Sequence, residues 1–465
     1  MSASRGLSTV EPSGSCLYVV CTGISKSRQL YFFCNAQTFS MVCGMAVRAA
    51  QPLQIEVSLT GGMEVAHAYE QQVVSAFHEL AREHAAQARL SEAIHHQREA
   101  LHVASSGGLK VDAIAAEHVY LGQLLLRYAT ADAVATVAPS RSAQDGGSVR
   151  SEAEAQLRLA IKLAPANPRA HEALLCCEFD GELRTIWDHH GAPGRSSLRT
   201  THTALREVLA RAEQRRRLAP ALCEPGPVAA DAALATFGDL HETAHRFWQA
   251  AGQCCDWLRD EQQLSRAQRV LAAGRPVSFR DAFRSRLATG ARDELAGLSW
   301  ACSDDGGVKP LAYGAFMMRR CMPTVSEESL ANQPGSSVAA VLTLLKSPDL
   351  KKLIGQLTGL RIDGATLTQP TLFRSGDFLS VHNDAQDNRV VAFAWHLVDE
   401  WTSDDGGELA FVCPEPGADR FVRPALNTLT LFRTHGPGFL GTHAVLPVLR
   451  GQRVAITGWF TQKVT

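Results

Sequence analysis

The chain changes its periodicity once, at about residue 276. From about 64 to 275, Ala, Leu, Glu and Arg dominate, apolar residues recur at helical spacing and β-branched runs are few. Past Pro276 two further helix-like stretches (277–300 and Val341–Leu357) give way to short runs that alternate every second residue. These are Val390–Val398, Glu408–Cys413, Asn427–Phe432 and Arg453–Phe460, punctuated by Gly406-Gly407 and Gly436-Pro437-Gly438. A 3.6-residue period and a 2-residue period bury different faces, so the two halves belong to different architectures. The prediction is an α+β multidomain chain: all-α helices first, then a sandwich or barrel of short strands.

The length of 465 residues suits two to four domains. The boundaries expected are a poorly ordered extension over 1–60, helical repeats over 64–180, a helical linker or bundle over 181–275, and the β-rich domain over 276–465. Lys plus Arg total 46 against 47 Asp plus Glu, a formal net charge of −1, which argues against a surface coated for phosphate. No run is apolar and long enough to predict a membrane span. The twelve cysteines include no Cys-x-x-Cys pair, so they read as reduced small hydrophobes of a cytoplasmic protein, with nuclear or organellar location left open.

Within the helical half, Phe77, Leu80, Ala81, His84, Ala93, Ala100 and Leu101 resemble one copy of the tetratricopeptide pattern. Leu121-Gly122 opens a second copy, which Ala153, Leu157, Ala160, Ile161 and Pro165 complete, and Thr130–Ser151 reads as a loop inserted between. Small residues at these spacings let paired helices approach, and such pairs stack into surfaces that hold peptides. Residues 197–217 carry six arginines, but Glu207 and Glu213 interrupt them and no aromatics interleave. A solvated face is the expectation there, not a nucleic-acid partner. The doublets His95-His96 and His189-His190 read as surface residues.

The chemistry is concentrated near the C-terminus. His382 and Asp384 are two apart, so an extended backbone puts them on one face, and His443 follows 61 residues later. Two imidazoles and one carboxylate are the facial set that holds Fe(II) and leaves three positions open. His435 is a rival third ligand, but it does not precede an Ala-Val-x-Pro-Val strand as His443 does. Ten residues past His443 comes Arg453, and period two puts Arg453, Ala455, Thr457 and Trp459 on one face of their strand. An interior guanidinium needs a counter-ion, and a carboxylate can meet it bidentately. Arg450 sits at a turn and is the weaker candidate.

The ordered set Phe373-Arg-Ser-Gly-Asp-Phe-Leu-Ser-Val-His382-Asn-Asp384, Gly406-Gly407-Glu-Leu, Asn427–Phe432, His443-Ala-Val-Leu-Pro-Val and Arg453–Phe460 resembles the prolyl-hydroxylase-like branch of the 2-oxoglutarate/Fe(II) dioxygenases. Within that branch it looks similar to the group that includes ribosomal-protein prolyl 3-hydroxylases, without the second β-helix domain of that group. The resemblance covers about 276–462. It implies a double-stranded β-helix (jelly roll) with flanking helices, and Fe(II) held by His382, Asp384 and His443. Arg453, Thr457 and His396 would contact 2-oxoglutarate, O2 is the other co-substrate, and L-ascorbate is admitted as a supporting reductant. Phe373 and His396 stand where the family usually has tyrosines.

By the same resemblance the substrate is a prolyl residue in a protein or peptide, with the helical repeats as its recruiting surface. Two other readings stay open: a hydroxylase of a free amino acid or other small molecule, and a non-catalytic repeat adaptor whose oxygenase domain has decayed.

Overall fold

In the computed structural model the described residues are the strands within 17–59, then 63–107, 109–135, 143–187, 195–217, 237–251, 256–302, 307–311, 314–385, 388–412, 420–434 and 441–463. The chain divides into two compact units, Met1–Pro165 and Ala166–Thr465. The division falls at 165/166 and not at 180/181, and everything from 166 to 275 lies in the same unit as the β-rich domain. Among the described residues, no helix is long and apolar enough to cross a membrane.

The first unit opens with β1 (Leu17–Gly23), β2 (Gln29–Cys34) and β3 (Leu53–Leu59), an antiparallel sheet in the order β2-β1-β3. Its strands fall within the segment expected to be a poorly ordered extension. LYVVCTG, QLYFFC and LQIEVSL are rich in β-branched and aromatic residues, and pairing them satisfies backbones that one such run alone would leave open.

Four helices follow: α1 (Met63–Ala86), α2 (Leu90–Ser106), α3 (Val111–Ala135) and α4 (Ala143–Leu163). Each packs on the next in sequence. Phe77, Leu80, Ala81, Ala93 and Ala100 are buried, and a Cβ on Gly122 would lie 2.7 Å from Leu157 Cγ, so α3 and α4 touch at bare backbone. The inserted loop expected over Thr130–Ser151 is mostly helix: α3 runs to 135 and α4 starts at 143, the small polar residues being tolerated in their end turns. His96 is half-buried against Phe77 and His84, where a surface position was expected; His189-His190, His435 and Gly436-Pro437-Gly438 lie outside the described residues.

The second unit has two sheets. One is β4 (Val277–Phe279), β14 (Thr428–Arg433), β11 (Arg389–His396), β16 (Gln452–Thr461), β9 (Thr366–Arg374), β8 (Cys321–Pro323) and β5 (Trp300–Cys302), in that spatial order. The other is β13 (Phe421–Val422), β12 (Leu409–Phe411), β15 (His443–Val445), β10 (Phe378–His382), β7 (Gly314–Arg319) and β6 (Gly307–Leu311). Every paired strand is antiparallel, and Phe373, Ala392, Ala394, Leu409, Phe411, Phe432 and Val445 pack together from both sheets. This is the expected jelly roll.

Helices cover both outer faces, which is why the strands read as apolar on either side. On the seven-stranded sheet, Val391, Phe393, Trp395, Ile456 and Phe460 meet α7 (Phe237–Ala251), α8 (Glu261–Ala272), α9 (Ser285–Ala296), α11 (Ser337–Lys346) and α12 (Pro348–Thr358), with short α10 (Glu327–Ala331) beside α11. The single helix expected over Val341–Leu357 breaks at Ser347, whose hydroxyl caps α12 while Pro348 occupies its first turn. On the six-stranded sheet, α5 (Pro168–Trp187) and α6 (Arg195–Arg217) lay Leu175, Phe179, Leu183, Leu205 and Leu209 against Phe378, Val381, Ala444 and Leu446.

The cysteine expectation fails at one pair. Cys302 and Cys321 are register partners of β5 and β8 and form a disulfide, while Cys176 and Cys177 are not disulfide-bonded.

Candidate metal centre and co-substrate cavity

His382 closes β10 and His443 opens β15, and the two are direct cross-strand partners. The ladder between Leu379↔Val445 and His382↔His443 slips by one residue, a bulge that turns the end of β10 toward the gap between the sheets. Asp384 lies just beyond the strand, so its carboxylate reaches the imidazoles from the following loop. His382 Nε2 is 3.6 Å from Asp384 Oδ1, and His443 Nε2 is 3.5 Å from Asp384 Oδ2. One donor atom from each of the three residues lies within 4.8 Å of the others, and all three residues are buried.

The imidazoles are held from behind. His382 Nδ1 lies 2.8 Å from the Ser380 carbonyl and His443 Nδ1 lies 2.8 Å from the Gly441 carbonyl. Each Nδ1 therefore carries the proton and donates it, which leaves Nε2 as the metal-facing atom. Phe432 packs edge-on to His443 at 4.7 Å between centroids, and Phe411 stands against Phe432 in the same way. Burial, then the neighbouring His443, pushes the His382 pKa down to about 4. Burial works to raise the Asp384 pKa, but the neighbouring His443 and His382 outweigh it and hold it low. A neutral His382 imidazole and an ionised Asp384 suit a divalent cation, whose ligands must be deprotonated.

The triad lines a cavity between the sheets together with Gln369, Thr371, Phe373, Arg453, Thr457 and Trp459. Arg453 is 1% exposed, and its Nε and Nη1 have no hydrogen-bond partner. Its Cζ stands 5.1 Å from the centre of the Phe373 ring, its register partner on β9. Burial pushes its pKa down to about 10, with Glu408 opposing. A guanidinium left unpaired in this way costs several kcal/mol unless an anion joins it. The residues fit a dicarboxylate in the cavity.

The other sequence candidates resolve as follows. Thr457 lines the cavity, but its hydroxyl donates to the Gln369 carbonyl at 3.1 Å. His396 is fully buried on the inward face of β11; neither ring nitrogen has a partner, and burial followed by the Arg453 charge lowers its pKa far down. Arg450 is half-exposed at the turn and donates to Asp405 at 2.6 Å, so it is no rival to Arg453.

Three residues of this site were not anticipated. Arg320, between β7 and β8, lines the cavity, with its guanidinium against the Gln369 side-chain amide. The Arg319-Arg320 doublet in an otherwise apolar run was the available signal. Glu408 is 3% exposed and accepts from His202 Nε2 at 2.8 Å and Arg206 Nη1 at 3.0 Å, both on α6. Arg199 and Arg215 also pair with acids, Asp404 and Glu178, so three of the arginines on the basic helix are spent within this unit. Glu172, on α5, contacts Asn383 and Thr442.

Residues 368–461 match the 2OG-Fe(II) oxygenase superfamily, and they contain the triad, the guanidinium and the strands that place them. The C-terminal unit carries a domain of that superfamily. The chain is 26% identical over 144 residues to the prolyl 3-hydroxylase sudestada1 of Drosophila melanogaster, covering 28% of this chain and 26% of that one. It is 28% identical over 141 residues to the prolyl 3-hydroxylase OGFOD1 of Xenopus laevis, covering 29% and 27%. The chain thus spans about a quarter of the length of either relative. Among solved structures it is similar to a Pseudomonas putida prolyl-4-hydroxylase, with 21% identity, 43% of this chain, 95% of that chain and a TM-score of 0.30. A Trichoplax adhaerens prolyl hydroxylase, solved with a peptide fragment of the hypoxia inducible factor oxygen degradation domain, gives 19%, 44%, 96% and 0.30.

Proposed function

We propose that this protein is a 2-oxoglutarate- and Fe(II)-dependent dioxygenase that hydroxylates a prolyl residue in a protein or peptide. The observation that carries the reading is the pairing, in one cavity, of a two-histidine, one-carboxylate triad with a buried guanidinium whose Nε and Nη1 have no hydrogen-bond partner. His382, Asp384 and His443 would hold Fe(II), and Arg453 would take the distal carboxylate of 2-oxoglutarate. When bound, these groups supply the oxidising chemistry with O2.

What the chain itself contributes is placement and exclusion of water. The carbonyls of Ser380 and Gly441 fix both imidazole tautomers, and Phe411 and Phe432 hold the His443 ring. Arg453 meets a dianion without reorganising, because its fork is already desolvated. His396, neutral beside Arg453, offers a ring N–H toward the same carboxylate, in place of a tyrosine hydroxyl. Thr457 contributes an acceptor while its proton stays on Gln369. Arg320 adds positive charge at the cavity wall, where it opposes the Asp384 carboxylate.

The prolyl assignment is supported by the names of the two relatives. We read the packed helices of 64–165 as tetratricopeptide-like pairs that recruit the peptide, supported by their sequential packing and the Gly122–Leu157 approach. The test uses full-length, iron-loaded protein with 2-oxoglutarate and proline-containing peptides. Succinate release coupled to a peptide heavier by one oxygen atom is expected. Turnover on free proline alone would place the substrate among small molecules, and no succinate together with no 2-oxoglutarate binding would leave an adaptor.

A further inference from the structure

Glu172 lies on α5, outside the jelly roll, and is 9% exposed. Its Oε1 accepts from Asn383 Nδ2 at 3.0 Å and from Thr442 Oγ1 at 3.3 Å. Asn383 is the residue between His382 and Asp384, and Thr442 immediately precedes His443. One carboxylate oxygen therefore joins the two chain segments that supply all three donors of the triad. These segments sit at the end of the β10–β15 ladder, beyond the bulge: β12 borders β15 on its other side, whereas Asn383 and Asp384 lie past the last rung of β10.

One turn along the helix, Cys176 Sγ lies 3.7 Å from the carbonyl of Val381, the residue before His382. Leu175 and Phe179 pack on Phe378, Val381 and Ala444, so the helix is anchored to the same two strands. A buried carboxylate held by two neutral donors is a poor way to attach a helix, since an apolar residue would extend the Leu175–Phe179 stripe without desolvating a charge. What a carboxylate supplies, and a leucine cannot, is one fixed acceptor shared by both segments.

We propose that Glu172 is a positioning residue that clamps the two ligand-bearing segments together, so that a helix of the α-rich region tunes the metal affinity of the oxygenase site. The inference rests on the triad being a metal centre. Outer partners of this kind set ligand geometry, and their loss typically weakens metal binding by ~10–100-fold.

The test titrates Co(II), as a spectroscopic stand-in for Fe(II), into the full-length chain and follows its visible ligand-field band. Glu172→Ala is expected to weaken Co(II) binding by about 10–100-fold and to alter the band. Glu172→Gln, which keeps an acceptor at Oε1, is expected to restore most of the affinity and the wild-type band. Unchanged affinity and band in Glu172→Ala overturn the clamp, as does a Gln variant no better than the Ala variant. If Glu172→Ala does not accumulate as folded protein, Thr442→Val removes one donor and leaves the helix intact; weaker Co(II) binding supports the clamp and unchanged binding overturns it. Failure of the underlying site reads differently: wild type would then bind no Co(II), or Asp384→Ala would bind it as tightly as wild type.

Discussion

His382 and His443, 61 residues apart in sequence, face each other across one rung of the β10–β15 ladder with ring centroids 4.2 Å apart. A single antiparallel pairing thus does for two imidazoles what an i, i+4 spacing does on a helix. Its precision depends on what stands behind each ring.

Gly441 stands behind His443. Its φ is +81°, and a Cβ there would lie 2.4 Å from the Thr434 carbonyl oxygen. Gly441→Ala must shift the carbonyl that accepts from His443 Nδ1, so metal affinity should fall by ~10–100-fold while the fold survives. Metal titration with circular dichroism as a control checks this, and unchanged affinity would refute it.

Arg453 is a liability to the empty fold. Arg453→Met removes a desolvated charge with two unsatisfied nitrogens and keeps most of the side-chain volume, so ligand-free stability should rise by about 1–4 kcal/mol. The same variant should lose the stabilisation that 2-oxoglutarate gives the wild type and keep its metal binding. A less stable variant that still responds to 2-oxoglutarate would move the anchor elsewhere.

Phe373 packs against that guanidinium but cannot donate to an anion beside it. Phe373→Tyr should tighten 2-oxoglutarate by the net value of one hydrogen bond to a charged group, about 1.5–3 kcal/mol. Calorimetry on the metal-loaded protein decides; a weaker complex would show that the added hydroxyl takes up space the ligand needs.

In the helical unit, burial, followed by His84 and His95, pushes the His96 pKa from 6.5 down to about 4. The unfolded chain then binds a proton at a pH where the folded chain does not, so stability is lost as pH falls from about 6.5 toward 4. Denaturant midpoints should drop across that window, and His96→Gln should flatten the drop. An equal drop in the variant would assign the effect to other groups.

The Cys302–Cys321 bridge closes a loop of sequence separation 19, for which chain entropy gives about 3 kcal/mol. Reduction, or Cys302→Ser, should lower the stability of the second unit by that order. Thiol counting on unfolded, non-reduced protein checks whether the bridge is present.

Much of the site was legible because period two is strict. Arg453, Ala455, Thr457 and Trp459 share a face as their spacing requires, while Val454, Ile456 and Phe460 pack on the helices outside. Spacing also named three residues that the fold brings together, although it could not show that β10 ends at His382 and that Asp384 reaches in from a loop. What failed depended on long-range contacts. An amphipathic helix announces that it has a partner but not which one, so α5 and α6 could not be assigned to the jelly roll from 166 onward. Arg320 and Glu408 gave no periodic sign of facing the cavity or α6. The disulfide pairs two cysteines whose spacing belongs to no metal or redox motif, and only the β5–β8 register brings them opposite.

The seating of α5 and α6 on the six-stranded sheet has a practical corollary for anyone trimming the gene. A fragment begun at residue 276 would retain the whole family-matched segment yet strip the cover from Phe378, Val381, Ala444 and Leu446. It would leave an oily sheet face in water, prone to clumping. Residue 166, not 276, is the cut that keeps this face dressed.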